Sequence, residues 1–312
     1  MNIQQFKYIL AVSELRHFEL AAEKCFVTQS TLSTMISKFE DEVGLLIFDR
    51  KKKPVEITSE GQILIDQLKI ILHSIDQLDE LKKEIKGEVK GNLTVAVIPT
   101  IAPFLLPLFL QDFAAQFPDL RIEVRELTTN EILRQLKSRD LDIGILSTPI
   151  NDPSILEYNL YEEPFVLYDA GLKNEAIVDV QTINLSDLWL MEEGHCFRTQ
   201  VLKLCDVQNR LTKSQLNFEF KAGSIDSLMR FVRANKATTL LPYLSTCDFV
   251  AEERVFVKHF SSPIPTRKVG IVVHQYFVKH KVLQLLRDQI CESVARLLPD
   301  TKGNSLPLDP LV

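Results

Sequence analysis

The sequence predicts a chain in three parts: a small helical head, a long linker helix and an α/β body in two lobes. Three observations carry that expectation. Apolar residues recur at helical spacing in short stretches before residue 58. A heptad-like stripe then runs from Leu64 to Ile85, and from Gly91 onward β-rich runs alternate with helical ones. A chain of 312 residues has the length for two or three separate cores.

In the head, Phe6, Ile9, Leu10 and Val12 mark a first helix, FELAAEKC (18–25) a second and TLSTMISKFEDEV (31–43) a third. The stretch FVTQS (26–30) joins the last two with Thr28 placed as an N-cap, and Gly44 stops the third helix. LLIFDRKKKPVEITSEG (45–61) predicts a small two-stranded wing with Pro54 at its bend. Helix, short turn, helix and basic wing make the plan of a winged helix-turn-helix over about residues 1–58, whose recognition helix lies in a major groove. That helix opens with Thr28, Gln29, Ser30, Thr31, Ser33 and Thr34, followed by Lys38. Glutamine can pair bidentately with adenine, and hydroxyls reach bases or phosphates. Arg50, Lys51, Lys52 and Lys53 form a cluster suited to phosphates. Charge balance points the other way: the net charge is −6, and residues 1–60 hold eight Lys/Arg against nine Asp/Glu. On periodicity alone, a small helical domain with a solvated lysine loop explains the head equally well.

The linker, 59–88, places Leu64, Leu68, Ile71, Ile75, Leu78, Leu81 and Ile85 close to a heptad seam. Such a stripe packs either on its own chain or against a second copy, and a helix this long between two domains favours the second copy. In the body, strands are expected at 92–98, 121–127, 142–146 and 268–273, separated by helices at 103–116, 129–138, 224–234 and 279–298. The alternation predicts largely parallel sheets, and two hundred residues suggest two lobes with a cleft. The tail TKGNSLPLDPLV (301–312) has no periodicity and is expected to be mobile.

Several classes are disfavoured. The N-terminus lacks the pattern of a secretory signal, and the most apolar stretch, IAPFLLPLFL (101–110), is too short to span a bilayer, so a cytoplasmic protein without membrane contact is expected. Five cysteines, widely spread, make no disulfide framework, and none has zinc spacing with histidine. No metal or cofactor is expected. Cys25 and Cys291 sit in apolar helical patterns and are expected in the core, Cys247 is expected to be passive, and Trp189 is expected to pack.

FELAAEKCFVTQSTLS (18–33), KFEDEVG (38–44), LIFDR (46–50) and the pair Thr58 and Gly61 resemble the signature of LysR-type transcriptional regulators. In that family an Ala-Ala pair packs the helix-turn-helix, and a V-[ST]-Q-[PS] turn starts the recognition helix. With the long helix and the two-lobed remainder, the resemblance covers nearly the whole chain. It implies a regulator rather than an enzyme, with double-stranded operator DNA and RNA polymerase as partners. It also implies a homodimer through 59–88, often assembled further as a homotetramer, and a periplasmic-binding-protein-like effector domain at 91–300. Lobe I of that domain is expected at about 91–163 and 267–300, and lobe II at about 164–266. Ser30 stands where proline is usual and Thr34 where many members carry arginine, so no operator sequence is carried over.

Most members bind a small metabolite between the lobes, which is one reading of this chain. A sharper one comes from GHCFRTQVLKLC (194–205), where His195, Cys196, Arg198 and Cys205 are similar to the redox segment of peroxide-sensing members. Ile98-Pro99-Thr100, Thr129, Leu240-Leu241-Pro242 and Arg267 before Gly270 match the same branch, whereas Thr199 follows Arg198 in place of a common aspartate. The resemblance implies a reversible Cys196–Cys205 disulfide formed by hydrogen peroxide, control of oxidative-stress genes and a separate disulfide reductant. The chemistry suits the residues. Cations and a helix start favour thiolate at Cys196. Thr100 and Thr129 have hydroxyls to hold peroxide, and Arg267 has charge to stabilise the leaving oxygen. If 197–205 is helical, nine steps of ~1.5 Å separate the thiol-bearing Cα atoms by ~13 Å. A disulfide needs ~7 Å or less, so bonding would unwind the helix. On spacing alone, two buried cysteines remain the plainer explanation. A thiol peroxidase would leave the head unexplained.

Overall fold

The computed structural model describes residues 1–172, 175–183, 188–191, 199–201, 204, 222–300 and 303–310. The chain divides into two units, Met1–Lys86 and Gly87–Val312.

In the first unit α1 (Ile3–Leu15) is opened by Asn2, which accepts from the Gln5 N–H while the Gln5 side chain accepts from the Asn2 N–H. α2 (Phe18–Lys24) and α3 (Gln29–Val43) follow. Thr28 caps α3 by accepting from Thr31 N–H, and Gly44 ends it with φ 71°. Ala21 and Ala22 are fully enclosed against Ile9, Val12, Leu32, Ile36 and Phe39, so the small pair lets the three helices approach. The wing is the antiparallel pair β1 (Phe48–Asp49) and β2 (Glu56–Ile57), with Pro54 between them.

α4 (Ser59–Ile85) is capped by Thr58, which accepts from Gly61 N–H at 2.9 Å and donates to Leu46 O at 2.6 Å. A Cβ on Gly61 would stand 2.4 Å from Ile47 O, which explains the Thr-x-x-Gly spacing physically. The first half of the α4 stripe belongs to the head: Ile65 and Leu68 are buried, with Leu64 and Ile71 packed beside them. The second half is uncovered in the single chain, with Leu78 65% and Ile85 78% exposed.

The second unit contains β3 (Gly91–Val97), α5 (Ala102–Gln116), β4 (Leu120–Glu126), α6 (Thr129–Ser138) and β5 (Ile143–Thr148). Then come β6 (Ile155–Asp169), β7 (Ile177–Val178), α7 (Ile225–Ala234), β8 (Thr238–Pro242), α8 (Ala251–Arg254) and β9 (Val257–Phe260). β10 (Ile264–His274), α9 (His280–Ala295) and β11 (Ser305–Pro307) complete it. Strand order is β4-β3-β5-β10-β6-β9-β7, with β8 also on β6 and β11 on β10.

Two cores define two lobes. One gathers β3, β5, α5, α6 and α9 through Leu93, Ile145, Phe109, Phe113, Ile132, Leu136 and Ile290. The other gathers Phe165–Tyr168 of β6 with Leu228, Val232, Leu240 and Leu241. The two longest strands run through this arrangement: β6 contributes Ile155 and Leu160 to the first core and Phe165 onward to the second.

Two expectations are corrected. The sheet is mixed rather than largely parallel. β3 is parallel to β4 and β5, but β10 is antiparallel to β5 and β6, and β6 to β8 and β9. The chain passes between lobes along β6 and returns along β10, and an out-and-back pair is necessarily antiparallel. The described part of the tail, expected to be mobile, instead forms β11, parallel to Ile264–Thr266 of β10. Backbone hydrogen bonding to a strand edge needs no apolar periodicity, so the pattern gave no sign of it.

Candidate functional site

The head presents the opening of α3. Thr28, Gln29, Ser30, Thr31, Thr34 and Lys38 are exposed, and Ser33 is half-buried. The Thr28 hydroxyl lies 3.0 Å from Ser30 Oγ and 2.8 Å from Thr31 Oγ1, a hydroxyl cluster at the positive end of the helix. Lys51, Lys52 and Lys53 are exposed in the wing, Lys52 paired with Glu56 at 2.5 Å. Arg50 is placed differently. Its guanidinium donates to Ser33 Oγ at 3.0 Å and Glu40 Oε2 at 2.7 Å, and it lies 5.0 Å from the Phe18 ring centre. Glu40 is buried, and its Oε1 accepts from the N–H groups of Ile47 and Phe48. Glu40 and Arg50 therefore brace the wing against α3. Sequence reasoning passed over Glu40 as a site residue, because a glutamate on an apolar helix face looks like any surface charge.

The body holds a buried polar set at the C-terminal ends of its parallel strands, the usual place for a site in α/β sheets. Thr100 follows β3 in the turn that starts α5, and Arg267 sits near the start of β10. Arg267 donates to Thr100 Oγ1 at 3.0 Å, to Thr100 O at 3.1 Å and through Nε to Glu163 Oε2 at 2.8 Å. Both charges are enclosed, Arg267 at 1% and Glu163 at 0% exposure. The other Glu163 oxygen accepts from Leu244 N–H at 2.8 Å, which ties the pair to the segment after β8. Thr100 Oγ1 accepts from Arg267, and its own hydrogen has no acceptor among the described residues.

Thr129 opens α6 two residues beyond Leu127, whose N–H donates to Val97 O, so it stands at the same strand edge. It is buried, and its hydroxyl has no hydrogen-bond partner among the described residues. A buried orphan hydroxyl is costly and marks a place for a small polar ligand or water. The structure thus joins Thr100 to Arg267 directly and sets Thr129 at the same edge. His195, Cys196, Arg198 and Cys205 lie outside the described residues, and of the expected helix at 197–205 only 199–201 and 204 are described, all of them helical. Glu163 was missed by sequence reasoning. A buried arginine demands a carboxylate, but nothing in the pattern says which of 42 acidic residues supplies it.

Cys25 and Cys291, expected in the core, are half-buried and packed against it, and Cys247 is half-buried as well. Burial raises each thiol above its ordinary value, which favours the protonated form. Trp189 packs against Phe231, ring centres 4.6 Å apart. Among the described residues there is no helix long and apolar enough to cross a membrane and no cluster of metal-ligating side chains.

A capped helix-turn-helix with a braced basic wing, in a chain whose other unit is a two-lobed α/β domain with a buried polar site, defines a DNA-binding regulator. Residues 3–62 match the "Bacterial regulatory helix-turn-helix protein, lysR family", and residues 86–295 match the "LysR substrate binding domain". The chain belongs to the LysR family, whose members here are transcription regulators and not enzymes. It is 31% identical over 275 residues to the hydrogen peroxide-inducible genes activator of Haemophilus influenzae, covering 87% of this chain and 90% of that protein. It is 32% identical to the DNA-binding transcriptional dual regulator OxyR of Escherichia coli, covering 87% and 89%. The structure of a full-length OxyR variant from Pseudomonas aeruginosa superposes with a TM-score of 0.73 at 29% identity, covering 93% of this chain and 98% of that one.

Proposed function

We propose that the chain is a regulator that responds to hydrogen peroxide by forming a Cys196–Cys205 disulfide and thereby controls oxidative-stress genes. The observation that carries the reading is the buried Arg267–Thr100 pair with the unpartnered Thr129 hydroxyl at the same strand edge. Relatives named for peroxide-inducible genes support it.

Peroxide both donates and accepts hydrogen bonds, and the two threonines match that need. Thr100 has a hydrogen to give, and Thr129 has a hydroxyl open in both senses. Arg267 orients Thr100 and strengthens it as a donor by polarisation. The Cys196 thiolate attacks one peroxide oxygen, the O–O bond breaks, and the leaving hydroxide takes up a proton, with His195 and Arg198 favouring the anion. The Cys205 thiol then attacks the resulting sulfenic sulfur, the S–S bond forms as the S–O bond breaks, and the hydroxyl leaves as water. Two thiols and one peroxide give one disulfide and two waters. A separate thiol reductant restores the reduced pair.

On the DNA side, α3 enters the major groove with Gln29 toward adenine and Thr28, Ser30, Thr31, Ser33, Thr34 and Lys38 along bases and phosphates. Arg50, Lys51, Lys52 and Lys53 form the wing contact to phosphates, with Arg50 also serving as the brace. The uncovered half of the α4 stripe joins two copies as a homodimer, which assembles further as a homotetramer and contacts RNA polymerase. Lobe I is taken as about 91–163 and 267–300 and lobe II as about 164–266, a division that the two cores support. Titrating the purified protein with peroxide while following its footprint on its own promoter tests the reading. The footprint changes with peroxide in the parent and stays fixed in Cys196→Ser; a parent footprint indifferent to peroxide overturns it.

A further inference from the structure

The C-terminal segment is built into the body at two places that bear on the proposed sensor. β11 pairs with the first residues of β10, Ser305 opposite Ile264 and Pro307 opposite Thr266. Ile264 N–H donates to Asn304 O at 2.7 Å, and Leu308 N–H donates to Thr266 O at 2.9 Å. Thr266 immediately precedes Arg267. The Leu308 carbonyl then accepts from the Gln200 side-chain amide at 2.7 Å. Gln200 lies between Cys196 and Cys205 in sequence and is fully enclosed, while Leu308 packs against the second core and Pro310 is buried.

We propose that residues 303–310 form a clasp that positions the segment between the two thiols, so that the C-terminus helps to set the peroxide response. Gln200 has its Nε2 bonded to Leu308 and its Oε1 without a partner among the described residues. Its enclosure therefore depends on the tail, because a buried amide stripped of its acceptor is unfavourable where it stands. If 197–205 is helical throughout, closing the ~13 Å between the two thiol-bearing Cα atoms to the ~7 Å of a disulfide has to carry the Gln200 turn with it. That movement either breaks the Gln200–Leu308 bond or draws the tail off β10 beside Arg267. The clasp as a contact stands on the geometry; its control of oxidation rests on the peroxide reading.

The test compares the reduced full chain with a version ending at residue 302 and with Gln200→Leu, which keeps the tail but removes the donor. Amide hydrogen exchange over 199–204 is expected to speed up about five- to tenfold in both, the factor that one lost neutral hydrogen bond represents. The peroxide dose giving half Cys196–Cys205 disulfide, read by mass spectrometry, is expected to fall by a similar factor. Melting temperature is recorded alongside. Unchanged exchange in Gln200→Leu, whatever the truncated chain does, overturns the clasp. Faster exchange with an unchanged dose overturns its control of the response. If the parent forms no Cys196–Cys205 bond, the peroxide reading fails, while the exchange comparison still decides the contact.

Discussion

Replacing Glu163 by glutamine strikes the centre of the body's polar site. Both Glu163 oxygens are used: one accepts from Leu244 N–H at 2.8 Å, the other from Arg267. A glutamine offers one acceptor oxygen, so its NH₂ must face one of two donors, and Arg267, at 1% exposure, loses the carboxylate charge it faces. Breaking a buried pair from one side costs about 3–5 kcal/mol. For a unit of this size each kcal/mol lowers the melting temperature by roughly 2–4 °C, so a fall of about 6 °C or more is expected. Calorimetry or circular dichroism of the purified variant measures it. A double variant, Glu163→Leu with Arg267→Met, removes both charges and recovers most of the loss, since an apolar pair of similar volume is often neutral or better. A fall under about 2 °C in Glu163→Gln would show that the pair is not load-carrying, on the same scale. A double variant as unstable as the single one would show that the charges are not coupled.

Other outcomes follow from the same geometry. Gly61→Ala places a Cβ 2.4 Å from Ile47 O and is expected to destabilise the head by about 1–3 kcal/mol, seen as earlier loss of its helical signal on heating. Glu40→Gln disturbs the carboxylate that holds Arg50 and the N–H groups of Ile47 and Phe48, and weakens operator binding about tenfold by fluorescence anisotropy. Lys51→Ala lowers affinity for all DNA sequences and reduces the slope of log K against log salt by about 0.9. Burial raises the thiols of Cys25, Cys247 and Cys291, so their thiolate fraction is low at neutral pH and grows only on the alkaline side. In a Cys196→Ser, Cys205→Ser variant, iodoacetamide labelling should be slow at pH 7 and rise steeply above the ordinary thiol range; rapid labelling at pH 7 would contradict the burial effect.

What the sequence displayed and what it hid divide along physical lines. Local rules wrote the head: Thr28 and Thr58 cap helices as their hydroxyls require, Gly44 ends one in the left-handed region, and Gly61 is needed because a carbonyl stands where a Cβ would be. The α4 stripe was likewise legible, being a short-range pattern of hydrophobicity, whereas the Ala21-Ala22 pair was recognised through the family resemblance. Strand direction was not, because it depends on where the chain goes between strands, and β10 returns from far along the sequence to lie between β5 and β6. β11 stayed hidden for a related reason: its hold on β10 is made by backbone groups, to which composition is blind. In the site, Thr100 and Arg267 were found through resemblance, but Glu163 and Leu244 were not, since their meeting is a long-range pairing of a charge with its counter-charge and a backbone donor. Arg50 was assigned to phosphate from its place in a basic run, and only the fold revealed the buried carboxylate of Glu40 beside it.

The most direct measurement is disulfide mapping. Reduced protein is exposed to a slight molar excess of hydrogen peroxide, quenched by alkylation, digested and analysed by mass spectrometry. A single linked pair, Cys196 with Cys205, is expected within the population that responds, with Cys25, Cys247 and Cys291 alkylated and the bond reversed by a thiol reductant. Cys196 and Cys205 both recovered alkylated, with operator binding unaltered by peroxide, would contradict peroxide sensing by this pair and leave the family's small-metabolite mode as the explanation of the body.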